Sequence, residues 1–343
     1  MVTSEKNEQS QSNQASNWNL LSVWTLLRPL LALVVVVLGF GIADQVWGQG
    51  HFLEIRNLRV VLVLTAPVAI AALGMTLIII TGGIDLSAGT ASILCATVLA
   101  VSINQDWGIG VAVVLALLTG ACCGLTNGLL ISLLKIPPFI VTLGTMTIYL
   151  GLAKQLANSS TVFVNREKLP NWLTHLSSTM PPDWWMGLPS IAMGVWLALG
   201  IAVLVSLVLR YATLGRHIFA IGSNESTARL CGVHVPRTKM IVYGLAGLLI
   251  GVAGIYSFSF VKMANPTDGI GKELKFIAAV VIGGASLSGG RGTVLGTLTG
   301  ALIMGVIASG CDQLGIKNPT QDIMIGAIVI AAVAIDSIKR NRA

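Results

Sequence analysis

Residues 60–81 read VVLVLTAPVAIAALGMTLIIIT and carry no charged side chain. A stretch of about 20 apolar residues is the length that an α-helix needs to cross the hydrocarbon layer of a bilayer. Residues 30–42 and 191–209 are further continuous apolar stretches. A membrane β-barrel would instead show segments of about ten residues in which polar and apolar side chains alternate. The sequence therefore predicts an all-α membrane protein.

The composition of the chain agrees with this fold class. Hydrophobic residues account for 54% of the 343 residues and charged residues for 10%, whereas an ordinary soluble domain contains about 25% charged residues. The mean hydropathy is +0.83. Because so few charged side chains cannot cover the surface of a soluble domain of this size, the composition excludes a soluble enzyme.

The apolar stretches predict a polytopic helical bundle of about ten transmembrane helices. We place the spans at residues 24–46, 60–81, 84–104, 108–133, 137–156, 189–209, 240–260, 274–287, 292–311 and 320–338. The eighth is too short to cross the membrane as a straight helix and is interpreted as a half-span joined to a broken segment. The expected organisation is a disordered cytoplasmic tail at 1–19, a transmembrane domain at 20–338 and a cytoplasmic tail at 339–343.

The distribution of Lys and Arg predicts the orientation of the bundle, because cytoplasmic loops carry the excess of these residues. Placing the basic loop 211–239 and both termini inside gives 12 basic and 5 acidic residues on the cytoplasmic side, against 9 and 9 outside. The whole net charge of +7 is then cytoplasmic. The net positive charge therefore follows from the topology and does not indicate a nucleic-acid partner.

A glycine-containing string occurs twice. ITGGIDLSAGT at 80–90 is repeated in form as IGGASLSGGRGT at 282–293. Two matching segments of this kind are typical of a duplicated transporter fold with broken helices. An inverted repeat would place them on opposite sides of the membrane, whereas the charge pattern places both on the cytoplasmic side. Both arrangements stay open from the sequence.

Two glycine patterns predict close helix packing. Glycines spaced four apart lie on one helix face, and the missing Cβ atoms let two backbones approach. The patterns comprise Gly120, Gly124, Gly128 and Gly292, Gly296, Gly300.

Asp85 is the only acidic residue in the apolar region 60–102. A carboxylate inside a span costs at least about 2.5 kcal/mol, so it is expected to have a role. Asp85 and Ser87 can cap the helix that follows the two glycines. Alternatively, the same carboxylate lines a transport pathway and binds hydroxyl groups. The two roles are compatible.

Motifs of catalysis and nucleotide binding are absent from the sequence. It contains no HExxH, no GxSxG and no GxxxxGK[ST]. The four histidines lie in loops or at span edges, and the five cysteines include no CxxC pair. We therefore expect no enzymatic activity, no metal and no cofactor in this chain.

The loop 211–239 predicts a docking element. Asn224 can cap a short helix over 225–230 that ends at Gly232. A short helix with defined ends, presented to the cytoplasm, favours contact with a partner protein. A basic loop that rests on anionic lipid headgroups is the alternative.

Four ordered blocks of this sequence resemble the permease subunits of ribose-type ABC sugar importers. The blocks are TLIIITGGIDLSAGT (76–90), NGLLISLLKIPPFIVTLGT (127–145), LGRHIFAIGSNESTARLCGVHVPRTK (214–239) and IAAVVIGGASLSGGRGTVLGTLTGALIMGV (277–306). The resemblance implies a bacterial inner-membrane location and import of a ribose-like monosaccharide. It also implies three kinds of partner: two cytoplasmic ATPase subunits that bind the ATP, an extracytoplasmic sugar-binding protein and a second permease copy. Alternatives are a related permease for branched-chain amino acids or a signalling molecule, and an ion-coupled secondary transporter.

The resemblance also implies site residues. Carried over by position, the residues of an ATPase-coupling helix are Asn224, Glu225, Ala228, Arg229 and Gly232. The expected translocation pathway contains Asp85, Ser87, Asn127 and Thr142. The sequence departs from the family pattern at Cys231, where Ser is common, and this puts the substrate rather than the family in doubt.

Overall fold

A computed structural model describes residues 29–178 and 191–340 of the chain. The predicted tail at 1–19 lies outside the described residues, as do 341–343. The helices are α1 Pro29–Trp47, α2 Ile55–Ile80, α3 Ala88–Asn104, α4 Ile109–Leu134, α5 Pro138–Leu156, α6 Asn171–His175, α7 Met193–Tyr211, α8 Thr213–Ser223, α9 Glu225–Leu230, α10 Val235–Val261, α11 Lys272–Ile282, α12 Val294–Gln313 and α13 Asn318–Arg340. Short 3-10 helices lie at Arg166–Lys168 and Pro266–Gly269, and the strands β1 Val162–Phe163 and β2 Met263–Ala264 pair antiparallel.

The predicted all-α membrane fold is confirmed. Seven of the described helices are long and apolar enough to cross a membrane: α1, α2, α4, α5, α7, α10 and α12. The other three predicted spans correspond to α3, α11 and α13. With 11 residues, α11 is only about 17 Å long, so the prediction that the eighth segment is too short to cross alone is confirmed.

Of the candidate spans, α2, α12 and α10 are the most deeply buried, and α4 packs closely against α10. A Cβ atom at Gly124 would overlap the carbonyl oxygen of Tyr243 in α10, and one at Gly120 would lie 2.5 Å from the carbonyl oxygen of Gly247. Gly296 of α12 faces the backbone of Gly283 in the same way. The predicted close-packing role of Gly124 and Gly296 is thus confirmed by the geometry.

Both glycine strings lie at one end of the bundle, so these two strings are not counterparts in an inverted repeat. The backbone N–H of Gly290 donates to the carbonyl oxygen of Ile80 over 2.8 Å. Each string follows a helix that runs toward this end and precedes one that runs back, so the two segments are not inverted. We call this the α9 end, because α8 and α9 lie there. At the other end, Asn104 Nδ2 donates to the carbonyl oxygen of Phe163 over 2.9 Å.

The two helices that end at these strings are closed in the same manner. The N–H of Gly83 donates to Ile78 O, and that of Ala285 donates to Val280 O. Such a bond spans five residues and needs a left-handed residue at the turn. Gly82 and Gly284 supply it, at φ +78 and +91. In backbone conformation, therefore, Gly82, the first glycine of its pair, corresponds to Gly284, the second glycine of its pair.

The segment 211–239 contains more helix than the sequence predicted. Residues Thr213–Ser223 form α8, an amphipathic helix whose Ile218 and Ile221 are buried. The following long helix begins at Val235 instead of residue 240. The expected loop is therefore two short helices joined directly to α10.

Candidate functional site

The short helix predicted at 225–230 is present as α9, with both expected ends. Asn224 Oδ1 accepts a hydrogen bond from the backbone N–H of Thr227 over 2.9 Å, which is an N-cap. At the other end Gly232 has φ +84, and the N–H of Val233 donates to Ala228 O over 3.0 Å. Local sequence signals therefore set the length of this helix.

The carboxylate of Glu225 is engaged within the chain. Lys239 Nζ donates to Oε2 over 2.7 Å, and Arg229 Nη2 donates to Oε1 over 3.1 Å. The hydrogen bond from Lys239 holds the pKa of Glu225 below its usual range, although partial burial of the carboxyl group opposes this. Because Lys239 belongs to α10, the ion pair joins α9 to a central helix of the bundle.

The remaining predicted docking residues divide between the interior and the surface. Ala228 is buried against Ile221, Val233 and Val235, so it seats α9 on the protein. The side chain of Arg229 is exposed. Leu230, which sequence reasoning did not select, is 89% exposed, and an apolar side chain this exposed at the end of a capped helix suits a protein contact.

The four predicted pathway residues lie together, buried between α3, α4 and α5. Asp85 Oδ1 accepts from the N–H of Ser87 over 2.8 Å and from its Oγ over 2.6 Å. Asn127 Nδ2 donates to Ser87 Oγ over 2.8 Å and lies 3.5 Å from Asp85 Oδ1. Thr142 Oγ1 lies 3.3 Å from Ile84 O and 3.0 Å from Pro138 O, and its hydroxyl can donate to either oxygen. The sequence separated these residues by up to 57 positions, and the fold makes them one cluster.

The cluster modifies the capping interpretation of Asp85. Ser87 occupies the N-cap position of α3, and its side chain makes no capping hydrogen bond. Asp85 instead accepts from the N–H of Ser87, two residues on, and so closes a turn before the helix. The carboxylate stabilises the broken segment rather than the first turn of α3.

Three polar residues near this cluster were missed by sequence reasoning. Tyr149 OH donates to Cys123 O over 2.9 Å and lies 3.4 Å from Asn127 Oδ1. Tyr243 OH and Glu273 Oε2 are buried and have no hydrogen-bond partner among the described residues. A Cβ atom at Gly83 would lie 2.5 Å from Tyr243 OH. Glu273 escaped notice because it falls just outside the predicted span 274–287.

A multi-pass helical bundle whose broken helices surround a buried polar cluster, with a capped helix at one end, is the architecture of a membrane transport protein. Residues 57–333 match the family described as branched-chain amino acid transport system / permease component, and the chain belongs to that family.

Curated relatives are similar over most of their length. Ribose import permease protein RbsC of Escherichia coli (strain K12) is 38% identical over 295 residues, which cover 84% of this chain and 88% of that protein. Fructose import permease protein FrcC of Rhizobium meliloti is 33% identical over 309 residues, 90% of this chain and 84% of that protein. Autoinducer 2 import system permease protein LsrC of Photorhabdus luminescens is 31% identical over 309 residues, 90% and 89%.

Proposed function

We propose that this chain is the permease of an ATP-driven importer that translocates a ribose-like monosaccharide delivered by an extracytoplasmic binding protein. The observation that carries the proposal is the 38% identity to a ribose import permease over 84% of the chain. The family description names branched-chain amino acids, but the relatives above are named for ribose, fructose and autoinducer 2. Because one relative is named for import of autoinducer 2, a signalling molecule stays among the substrates to be tested.

The proposed assembly contains two permease copies, two cytoplasmic ATPase subunits and the binding protein, in a bacterial inner membrane. The α9 end faces the cytoplasm together with both termini, in agreement with the basic residues of 210–239. ATP is bound by the ATPase subunits, so the permease needs no cofactor and no catalytic residue of its own. The exposed residues of α9 form the docking surface.

The buried cluster suits weak contact with a sugar. Asp85, Ser87, Asn127, Thr142 and Tyr149 offer carboxylate, hydroxyl and amide groups, which exchange hydrogen bonds readily with sugar hydroxyls. The binding protein supplies selectivity, so the pathway needs only moderate affinity. Closure of the ATPases moves α9 and converts the bundle between inward-open and outward-open arrangements.

Reconstitution tests the proposal. The chain is expressed with an ABC ATPase subunit and a sugar-binding protein from the same organism, and proteoliposomes are assayed for uptake of ribose, fructose, autoinducer 2 and leucine. We expect ATP-dependent uptake of a monosaccharide that also requires the binding protein. Uptake of leucine alone, or uptake driven by an ion gradient without ATP, would contradict the proposal.

A further inference from the structure

Three backbone segments from distant parts of the chain meet where α8 ends. Gly222 is the last but one residue of α8, and a Cβ atom there would overlap the carbonyl oxygen of Ile80 and lie 2.5 Å from the backbone nitrogen of Gly290. That nitrogen donates to Ile80 O over 2.8 Å. Gly222 has an ordinary helical backbone, so close approach, not conformation, requires glycine at this position.

The contact is reciprocal. A Cβ atom at Gly289 would lie 2.8 Å from Gly222 O, and one at Gly290 would lie 3.3 Å from the same oxygen. We call these residues, with Ile80, the glycine junction. The nearest atoms in these approaches belong to the backbone, which cannot change rotamer to absorb a displacement. In a close-packed interior such a contact transmits movement.

The junction joins the docking helix to the buried cluster. Gly222 lies two residues before Asn224, the N-cap of α9. Ile80 is the fully buried last residue of α2, and Asp85 follows five residues later in the broken segment. A shift of α9 therefore moves the end of α8 against the start of the segment that holds the cluster.

We propose that the glycine junction transmits the movement of α9 to the segment between α2 and α3, with Gly222 and Gly290 as positioning residues for transport. The inference rests on the proposed function, in which an ATPase moves α9. Ile80 O is the atom at which the end of α8 acts on the segment between α2 and α3, because this oxygen contacts both Gly222 and Gly290. The Glu225–Lys239 ion pair links α9 to α10 in parallel with this contact.

A pair of alanine substitutions in one loop tests the junction. Gly290 and Gly284 both have positive φ, +72 and +91, so alanine introduces a similar backbone strain at each. At Gly284 an added Cβ meets nothing within 4 Å, whereas at Gly290 it approaches Gly222 O. The helical positions Gly222 and Gly200 form a second pair, since nothing lies within 4 Å of a Cβ at Gly200.

The measurement is the amount of substrate transported per ATP hydrolysed, in proteoliposomes that contain the full complex, with assembly checked by copurification. We expect Gly222→Ala to lower this ratio by about tenfold and Gly290→Ala to lower it by a smaller factor, because an added Cβ overlaps Ile80 O at Gly222 but lies 3.3 Å from Gly222 O at Gly290. Gly284→Ala and Gly200→Ala should keep the wild-type ratio.

Equal ratios for Gly290→Ala and Gly284→Ala in assembled complexes would overturn the inference. The comparison of Gly290→Ala with Gly284→Ala tests the junction even if the Gly222→Ala complex fails to assemble. The proposed function is tested separately with the wild-type complex, and it is overturned if none of the substrates is taken up in an ATP-dependent manner. If the wild-type complex transports and the Gly290→Ala and Gly284→Ala complexes have equal ratios, only the role of the junction is overturned.

Discussion

The Nζ atom of Lys239 lies 2.7 Å from Oε2 of Glu225, and this ion pair joins the first residue of α9 to the first turns of α10. The Lys239 side chain is 18% exposed and that of Glu225 is 43% exposed, so solvent screens the pair only in part. Because the pKa of Glu225 is lowered in the folded protein, the pair contributes at pH values above the ordinary carboxyl pKa. The contribution is lost as the pH falls through the lowered value.

Reversal of this pair should reveal its contribution. Glu225→Lys and Lys239→Glu each place like charges together, and each should weaken copurification of the ATPase and its stimulation by the loaded binding protein. The double variant Glu225→Lys/Lys239→Glu should recover part of the loss, with a coupling of about 0.5–1 kcal/mol. Recovery is incomplete because Lys at residue 225 is unfavourable at a helix N-terminus.

The control for the charge reversal is Lys168→Glu, which breaks the ion pair with Asp106 at the opposite end of the bundle. It should leave copurification of the ATPase unchanged. Additive losses in the double variant at residues 225 and 239 would show that the two side chains act independently.

The orientation can be tested by labelling single cysteines in intact cells. The background lacks the five native cysteines, because Cys122 and Cys231 are exposed. An impermeant thiol reagent should label Arg166→Cys and leave Ser226→Cys unlabelled until the cells are opened, since the basic α9 end is expected to be cytoplasmic. The reverse labelling pattern would show that the predicted orientation of the chain in the membrane is wrong.

Asp85→Asn removes the charge of this residue and keeps the turn that its side chain closes. Asparagine keeps an acceptor oxygen for the N–H of Ser87, so the variant should fold and assemble. Hydrogen bonds to a charged group are stronger than neutral ones by about 1 kcal/mol or more, so uptake should fall by about tenfold. Asp106→Asn, at an exposed acid, is the control. Wild-type uptake by Asp85→Asn would limit Asp85 to stabilising the broken segment.

Gly124→Leu should disrupt the packing of α4 on α10. A side chain at this position overlaps the backbone of Tyr243, and overpacking of this kind costs about 1–3 kcal/mol or more. We expect a lower yield and a lower melting temperature of the purified permease. Gly200→Leu, with open space at its Cβ position, should be nearly neutral. Equal melting temperatures for the two variants would contradict the packing role.

The prediction of the fold succeeded where the signals are local. Continuous apolar stretches gave the helices, and Asn224 and Gly232 gave the two ends of α9, because a helix and its caps depend on residues a few positions apart. The helix α8 was missed because its amphipathic pattern is short, and the buried side chains of Ile218 and Ile221 stabilise it only through contacts with the rest of the bundle.

The sequence by itself determined that this protein is a helical membrane protein and where α9 begins and ends, because hydropathy and caps depend on residues that are close together along the chain. Only the tertiary structure decided that Asp85, Asn127 and Thr142 form one cluster and that Glu225 pairs with Lys239. It also decided that the two glycine strings meet at Gly222. Contacts between segments that lie far apart in sequence depend on how whole helices pack, and no local pattern encodes that arrangement.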